Sequence, residues 1–266
     1  MADITTSGAL PTDPALAIKV PVIITLFFWI IKILATTVGE TGADYLIFNL
    51  HFGLPTTSIL MSMVLGIILF LQLRAKSYIP WLYWLTVVMV SIVGTLITDN
   101  LTDNLNIPLT SSTAGFSLAL ILTFALWYWK EGSLSIHSIS TLRRELFYWA
   151  AILVTFALGT AAGDLMAESL GLGYAVSALI FGTAILLITL GYYLLGLNSV
   201  LAFWLAYIIT RPLGASLGDL LAQPVNAGGL GLGTVVTSEV FLVAIAILVG
   251  YLTLFRVDAP KTLTTD

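Results

Sequence analysis

Eight segments of this chain are long and apolar enough to cross a lipid bilayer as helices, since a transmembrane helix needs roughly 20 apolar residues. Composition agrees, because 59% of the residues are hydrophobic and only 9% are charged, whereas soluble domains carry roughly 25% charged residues. The sequence therefore predicts an all-α integral membrane protein with eight transmembrane helices. The predicted spans are 20–44, 57–74, 80–101, 111–129, 146–166, 174–195, 200–221 and 233–255.

Composition also excludes several classes of function. The chain has no cysteine, which excludes disulfides and thiolate metal sites. Its two histidines, His51 and His137, fall in predicted loops, which argues against a haem or zinc site inside the bilayer. The net charge of −4 gives no indication of nucleic-acid binding. Because no nucleophile–base set or phosphate loop is visible, we expect no enzymatic activity.

The distribution of lysine and arginine predicts the orientation, since cytoplasmic loops carry an excess of both. Eight of the ten cations flank one side of the predicted spans: Lys19, Arg74, Lys76, Lys130, Arg143, Arg144, Arg256 and Lys261. We therefore expect both tails, 1–19 and 257–266, to be cytoplasmic. The hairpin connections at 45–56, 102–110, 167–173 and 222–232 contain no cation and are predicted to face outward. The expected location is the inner (plasma) membrane of a bacterium.

Four tandem copies of one unit make up the membrane domain, residues 20–256. They contain "FWIIKILATTVGETGAD", "YWLTVVMVSIVGTLITD", "YWAAILVTFALGTAAGD" and "FWLAYIITRPLGASLGD". In every copy a tryptophan is followed by glycine ten residues later and by aspartate fifteen residues later. The units are predicted at 20–80, 81–141, 142–200 and 201–256. Since each unit has two spans, all four point the same way across the membrane.

This pattern resembles a family of bacterial multi-pass membrane proteins built from four tandem two-helix repeats of unknown function, each repeat carrying a tryptophan. The resemblance covers residues 20–256 and depends on the recurring Trp, Gly and Asp positions. It implies the architecture, and it implies no activity.

The repeat tryptophans are Trp29, Trp84, Trp149 and Trp204. Each lies about 22 Å along its helix from the aspartate of the same copy, at 1.5 Å per residue. That distance is too great for the tryptophan to enclose a ligand held by that aspartate. We interpret the four tryptophans as an aromatic belt at the cytoplasmic interface.

The repeat glycines predict close helix packing. Each has a small residue four positions later, on the same helix face: the pairs are Gly39/Ala43, Gly94/Thr98, Gly159/Gly163 and Gly214/Gly218. Because small residues let helix backbones approach closely, we expect the odd-numbered helices to pack centrally and the even-numbered helices to form an outer layer. The alternative is that the glycines break the helices and expose carbonyl groups to an ion.

Eight carboxylates are predicted in the outward half of the protein. Four are the repeat aspartates, and four lie near them: Asp44, Asp99, Asp164, Asp219, Glu40, Asp103, Glu168 and Glu239. Carboxylates at close range cannot all ionise unless protons or a cation neutralise them, and hard divalent cations prefer oxygen ligands. We therefore predict a cation- or proton-binding site, with the repeat aspartates Asp44, Asp99, Asp164 and Asp219 as the metal ligands. The alternative is that these aspartates only cap helix ends or face water.

Lys32 and Arg211 are the two cations at membrane depth, and neither position is basic in the other copies. Lys32 either has a partner on another helix or extends along the membrane to the cytoplasmic interface. Arg211 directly precedes Pro212, which frees a backbone carbonyl and can bend the helix. We expect Arg211 to pair with a carboxylate such as Glu40 or Glu239, either as a structural ion pair or as a gating or charge-coupling element.

These features favour a transporter or exporter of a small cation, a divalent metal such as Mn²⁺, with proton coupling. No resident cofactor is implied beyond a bound divalent cation. The expected partners are the lipid bilayer and the small cation or protons, and the sequence leaves the oligomeric state open. A transporter of organic cations and a non-transporting membrane scaffold are the alternatives. The first would need aromatic rings near the carboxylates, and the second has little surface outside the bilayer.

Overall fold

The computed structural model describes residues 18–21 and 23–258, and this part of the chain is helical without any strand. Eight of its helices are long and apolar enough to span a membrane, so the prediction of an all-α, multi-pass membrane protein is confirmed. In chain order they are α1 (Leu26–Asp44), α2 (Leu54–Arg74), α3 (Pro80–Asp99), α4 (Leu109–Glu131), α5 (Leu142–Asp164), α6 (Tyr174–Leu195), α7 (Ser199–Ala222) and α8 (Thr234–Phe255).

The first helix begins later than the sequence suggested. Residues 18–21 are not helical, and α1 starts at Leu26 rather than at residue 20. Pro21 contributes to this difference because proline disfavours helical conformation in the residue before it. The predicted tails fall largely outside the described residues, since 1–17 and 259–266 are not part of them.

Three of the four repeat aspartates lie inside a continuous helical segment rather than at its end. Immediately after Asp44, Asp99 and Asp164, the chain continues as five-residue π-helical segments, which are Tyr45–Asn49, Asn100–Asn104 and Leu165–Ser169. The connections are therefore shorter than predicted. None of these three aspartates accepts a capping hydrogen bond, so the alternative in which they cap the next segment has no support in the geometry. In the fourth copy α7 ends without a π-helical segment.

The odd-numbered helices form the centre of the protein. α1 packs against α3, α3 against α5, α5 against α7, and α7 returns to α1. Between 56 and 78% of each odd-numbered span is buried, against 11 to 28% of each even-numbered span. The prediction of a central ring of odd-numbered helices is therefore confirmed, and the line that they enclose is called the central axis below.

The outer helices connect each repeat to the next. α2 packs against α3, α4 against α5, α6 against α7, and α8 closes the ring on α1. The second helix of every repeat thus lies against the first helix of the following repeat. The four copies thereby form a closed ring with approximate fourfold symmetry.

The repeat glycines make this ring compact. A Cβ atom on any of them would stand within 3.0 Å of one particular side chain of the next odd-numbered helix. That side chain always lies seven residues after the next tryptophan. The four contacts are Gly39 with Ser91, Gly94 with Phe156, Gly159 with Arg211, and Gly214 with Thr36. The close-packing interpretation of the glycines is confirmed, and the helices continue through them without a break.

Candidate functional site

Each odd-numbered helix carries a stripe of four positions spaced four residues apart. They lie three, seven, eleven and fifteen residues after the repeat tryptophan. Residues four apart share a helix face, and in the structure this face of the odd-numbered helices is turned to the central axis. In α1 the four positions hold Lys32, Thr36, Glu40 and Asp44. The axis therefore passes from a lysine near the repeat tryptophans to carboxylates at the opposite end. We call these two ends of the bundle the tryptophan end and the aspartate end.

Arg211 of α7 is fully buried on the axis and bonds to all three other central helices. Its Nη1 donates to the carbonyl of Thr36, 2.8 Å away. Its Nη2 lies 3.0 Å from Oε2 of Glu40 and also donates to the hydroxyls of Thr95 and Thr160. The predicted ion pair is therefore present, with Glu40 as the partner.

Three of these acceptors come from the same repeat position. Glu40, Thr95 and Thr160 each lie eleven residues after their tryptophan, and Ala215 holds the fourth place. The hydroxyl of Thr95 also donates to Glu40 at 3.4 Å and lies 3.5 Å from that of Thr160. This layer, called the threonine ring below, fixes the planar guanidinium in one orientation because each acceptor belongs to a different helix.

Three carboxylates lie together next to the threonine ring. Glu40, Asp164 and Asp219 each offer an oxygen, and these oxygens lie within 4.8 Å of one another. Glu40 and Asp219 are each 7% exposed, and Asp164 is half-buried. We call this group the carboxylate triad. It comes from α1, α5 and α7, so only the closed ring of helices brings its members together.

The spacing of the triad fits a hard divalent cation. Two oxygens on opposite sides of an ion with metal–oxygen distances of about 2.3–2.6 Å lie about 4.6–5.2 Å apart, and the triad fits within that limit. The donors are oxygens only, which favours Mg²⁺, Ca²⁺ or Mn²⁺ over softer metals.

The remaining predicted carboxylates surround the triad at increasing exposure. Asp44 and Asp99 are half-buried, and Gln223 donates to Asp44 at 3.5 Å. Asp103 and Glu168 are exposed on the π-helical segments, where Glu168 accepts from the hydroxyl of Tyr174 at 3.1 Å. These four lie at the ends of the central helices or on the π-helical segments that follow them.

Glu239 lies apart from the other predicted carboxylates. It is exposed on α8, outside the central ring, and it makes no ion pair with Arg211. The adjacent Ser238 is the residue of this segment that turns inward, and its hydroxyl lies 2.7 Å from that of Thr41. The sequence analysis grouped Glu239 with the buried carboxylates because it lies at the same depth in the membrane. Depth does not show which face of the helix a residue occupies.

Lys32 is fully buried on the axis, so of its two predicted alternatives the extension to the cytoplasmic interface does not occur. Its Nζ lies 3.8 Å from the centre of the Tyr207 ring and 5.2 Å from that of Phe156. Within the described residues the amine has no hydrogen-bond partner. Tyr207 and Phe156 occupy positions three and seven of their own repeats, so they face the axis on the same pattern as Lys32.

The repeat tryptophans are packed inside the bundle rather than exposed at its surface. Trp84, Trp149 and Trp204 are between 1 and 4% exposed, and Trp29 is half-buried. The prediction of an interfacial belt is wrong, because the aromatic residue before each tryptophan also turns inward and the pairs pack against one another. Tyr83, for example, contacts Trp84 and Trp149 edge-on or tilted. The tryptophan end is therefore closed by aromatic packing.

One family model matches this chain, and it matches four times. Its description is Repeat of Unknown Function (DUF347), and it covers residues 27–78, 82–133, 147–197 and 202–258. The chain belongs to the DUF347 family. No curated protein and no solved structure matches it. The resemblance to a family with four tandem repeats of unknown function is thereby confirmed.

Sequence reasoning missed several residues of this candidate site. Thr95 and Thr160 bond directly to Arg211, and Tyr207 lies against Lys32. The alignment of the four copies contained a signal that could have identified Thr95 and Thr160. Position eleven is polar in three of the four repeats, and residues at one repeat position form one layer in a closed ring.

Two polar contacts at the tryptophan end were also missed. Lys19 pairs with buried Glu145 at 2.9 Å and donates to the carbonyl of Leu73 at 2.8 Å. On another part of this end the Tyr78 hydroxyl donates to Asp258 at 2.5 Å. Burial raises the pKa of the Asp258 carboxyl, and the Tyr78 hydrogen bond opposes this rise. These contacts hold the segments before α1 and after α8 against the bundle.

Proposed function

We propose that this protein is a membrane transporter or exporter of a small cation, a divalent metal such as Mn²⁺, with proton coupling. The observation that carries the proposal is the carboxylate triad, Glu40, Asp164 and Asp219, with one guanidinium against it on the axis of the bundle. We further propose that it resides in a bacterial inner membrane with its termini in the cytoplasm and the aspartate end outward. The lysine and arginine distribution supports this orientation.

The charges on the axis support binding of a dication. Three carboxylates with ligand atoms within 4.8 Å face one guanidinium, and Asp44 and Asp99 add two more carboxylates nearby. Like charges at such distances repel unless a cation or protons neutralise them. A dication bound between Glu40, Asp164 and Asp219 supplies that neutralisation.

The contacts of Arg211 support a conformational change in the proposed transport cycle. Its guanidinium is a tethered cation that already occupies one oxygen of Glu40. An entering dication competes with it for the same carboxylate. Because Arg211 also bonds to α3 and α5, its release from Glu40 loosens contacts between all four central helices. A shift of these helices is the step that we propose opens the tryptophan end.

An organic cation is less favoured as the substrate. Aromatic rings near the carboxylates would be its recognition elements. Two rings at the axis, Phe156 and Tyr207, already lie against Lys32 and Arg211. Among the described residues, the carboxylate triad is in contrast contacted by the Arg211 guanidinium and the Thr95 hydroxyl, and both lie on Glu40.

Equilibrium binding of Mn²⁺ to the purified protein in lipid nanodiscs tests the proposal, with free Mn²⁺ followed by electron paramagnetic resonance. We expect Asp164→Asn and Asp219→Asn to weaken binding by about 10–100-fold, the range found when residues around a metal are altered. Glu239→Gln is the matched control, because Glu239 is exposed and is not one of the three clustered carboxylates. Equal affinity in the wild type and both asparagine variants would overturn the proposal.

Transport itself is tested in proteoliposomes with a Mn²⁺-sensitive dye inside. We expect influx or efflux that the Asp219→Asn variant lacks and the Glu239→Gln variant retains. Growth and metal content of deletion and overexpression strains across a panel of metals identify the ion in the cell. No change for any metal would count against a metal substrate and in favour of the organic-cation or scaffold alternatives.

A further inference from the structure

The surroundings of Trp29 depart from the pattern of the other repeat tryptophans. The other three are buried, whereas Trp29 is half-buried. The tryptophan of α7 is covered by outer helix α4, whose Phe124 and Trp127 rings lie 4.9 and 5.7 Å from it, centre to centre. In the ring of repeats, α6 stands to α1 as α4 stands to α7. At the two corresponding positions, 40 and 43 residues after the repeat tryptophan, α6 carries Thr189 and Tyr192.

A groove lies beside Trp29, where α6 covers it less fully. Trp127 is 0% exposed, but its counterpart Tyr192 is 42% exposed. The groove runs between α1 and α6 over α7 and has a volume of about 640 Å³, which is in the range of about 300–1,000 Å³ typical of ligand-binding clefts. We call it the α1–α6 groove. Its apolar lining includes Ile24, Ile33, Ile185, Ile188, Phe203 and Ala206.

The α1–α6 groove faces the lipid bilayer. Leu26 on its α1 side is 74% exposed, and Tyr193 on its α6 side is 76% exposed. Both helices are long and apolar enough to span the membrane, so their outer surfaces meet hydrocarbon rather than water. An empty apolar groove loses the dispersion contacts that its walls would otherwise make. Lipid chains surround the groove, and they are therefore the apolar groups at the highest local concentration.

Polar residues line the groove mainly at the tryptophan end. Ser135 and His137 from the segment between α4 and α5 lie there, together with Ser199 at the start of α7. Deeper in the span Thr189 is polar, but its hydroxyl already donates to the carbonyl of Ile185. Of the described residues that line the groove, none is a lysine, an arginine or an acid. The groove thus fits a ligand with a long apolar body and one polar, uncharged end.

We propose that the α1–α6 groove binds one acyl chain of a phospholipid from the leaflet at the tryptophan end, with the ester groups of the lipid near Ser135 and Ser199. The chain packs against both α1 and α7, the helices that carry Glu40 and Arg211. Bound lipid therefore stabilises the contact at which the ring of central helices closes. This binding requires neither the carboxylate triad nor a transported cation.

The test uses the full-length protein in detergent, with bound phospholipid counted by native mass spectrometry and stability followed by thermal unfolding. The wild type should retain one phospholipid per chain after washing. Added dioleoyl phosphatidylcholine should raise its melting temperature by about 5–10 °C at about 100 times the dissociation constant. Thr189→Phe gives α6 the ring that α4 carries, fills the groove and should abolish both effects. Thr183→Phe is the matched control, because both threonines are exposed on α6 and donate to the carbonyl four residues earlier, but residue 183 does not line the groove.

Lipid retained by the wild type and by Thr183→Phe but not by Thr189→Phe supports the proposal. Equal retention in all three proteins overturns it, and so does a wild type that retains none. In the latter case, a dimer that Thr189→Phe disperses would assign the groove to a second copy of this chain.

A second measurement covers the case in which Thr189→Phe does not fold. The wild type in nanodiscs is labelled with a phospholipid that carries a photoactivatable diazirine in its acyl chain. Labelling concentrated at Ile33 and Ile188 supports the proposal, whereas labelling spread evenly over the outer faces of α2 and α4 overturns it. Neither measurement uses a metal, so the proposed cation transport stands or falls separately.

Discussion

Arg211 of α7 lies in the space that Gly159 of α5 leaves by lacking a side chain. A Cβ atom at residue 159 would stand 2.5 Å from Cβ of Arg211 and 3.0 Å from Cδ of Pro212. The same glycine position receives a serine, a phenylalanine and a threonine at the other three interfaces. The repeat therefore provides four equivalent spaces, and one of them holds the arginine that organises the site.

Gly159→Ala is expected to destabilise the protein by about 1–3 kcal/mol, the usual cost of adding atoms to a close-packed interior. The new methyl group meets the first side-chain atoms of Arg211, which cannot move away without displacing α7. Thermal unfolding in detergent measures the effect. Gly182→Ala on outer helix α6 is the control, since a Cβ there has nothing within 4 Å and alanine favours the helix by about 0.5–1 kcal/mol. Equal melting temperatures for the two variants would contradict the packing role.

Arg211→Gln and Glu40→Gln are each expected to destabilise the protein by about 3–5 kcal/mol, because each leaves a buried charge without its partner. The double variant should lose much less than the sum of the two single losses, since neither charge remains. Unfolding of the wild type, both single variants and the double variant forms a complete double-mutant cycle. Additive losses would show that the two side chains do not interact in the folded protein.

Thr95→Val is expected to cost about 1.5–3 kcal/mol, the range for hydrogen bonds to charged groups. It removes an acceptor of the Arg211 guanidinium while keeping the shape of the side chain. Thr86→Val is a matched control on the same helix, because the buried Thr86 hydroxyl donates to the carbonyl of Leu82 one turn earlier and has no bond to Arg211. Thermal unfolding of both variants distinguishes a specific acceptor from a general effect of losing a buried hydroxyl.

Tyr78→Phe is expected to destabilise the protein more at neutral pH than at low pH. An unperturbed aspartate titrates near pH ~3.9, and burial raises the pKa of Asp258 in the folded protein. The folded state thus holds this proton more tightly, so the free energy of unfolding falls as the pH rises from about 4 through the folded pKa. Without the Tyr78 hydroxyl the pKa of Asp258 rises further, and the fall becomes larger. Unfolding at about pH 4 and about pH 8 measures this, with Tyr251→Phe as the control; a pH-independent loss would contradict it.

Some parts of the site were accessible from the four aligned copies alone. The aspartates, the packing glycines and the pairing of Arg211 with a carboxylate, either Glu40 or Glu239, follow from repeat spacing and from the high cost of an unpaired charge inside a membrane. Other parts were not accessible. Glu239 and Glu40 both lie in the outward half of their helices, yet one is exposed and the other lines the axis. Depth along a helix can be counted from a sequence, whereas the face that a neighbour covers depends on which helices pack together.

The tryptophans illustrate the same limit. An aromatic residue near the end of a span predicts an interfacial position on average, but here the residue before each tryptophan also turns inward, and the pairs fill the centre of the bundle. The sequence left two alternatives open for Lys32 for a related reason. Its side chain is long enough to reach water, and only the packing of Tyr207 and Phe156 around it decides that it does not.

By itself the sequence determined the number of helices, the fourfold repetition and the residue types on the inner stripe of each odd-numbered helix. These depend on hydropathy and on spacing within one chain segment, which local physics controls. Tertiary structure alone decided that the ring closes between α7 and α1. That closure brings Arg211 to Glu40 across 171 positions of the chain and joins Asp164 and Asp219 to the same carboxylate. Contacts between distant segments depend on how four helices share one axis, and no single segment encodes that arrangement.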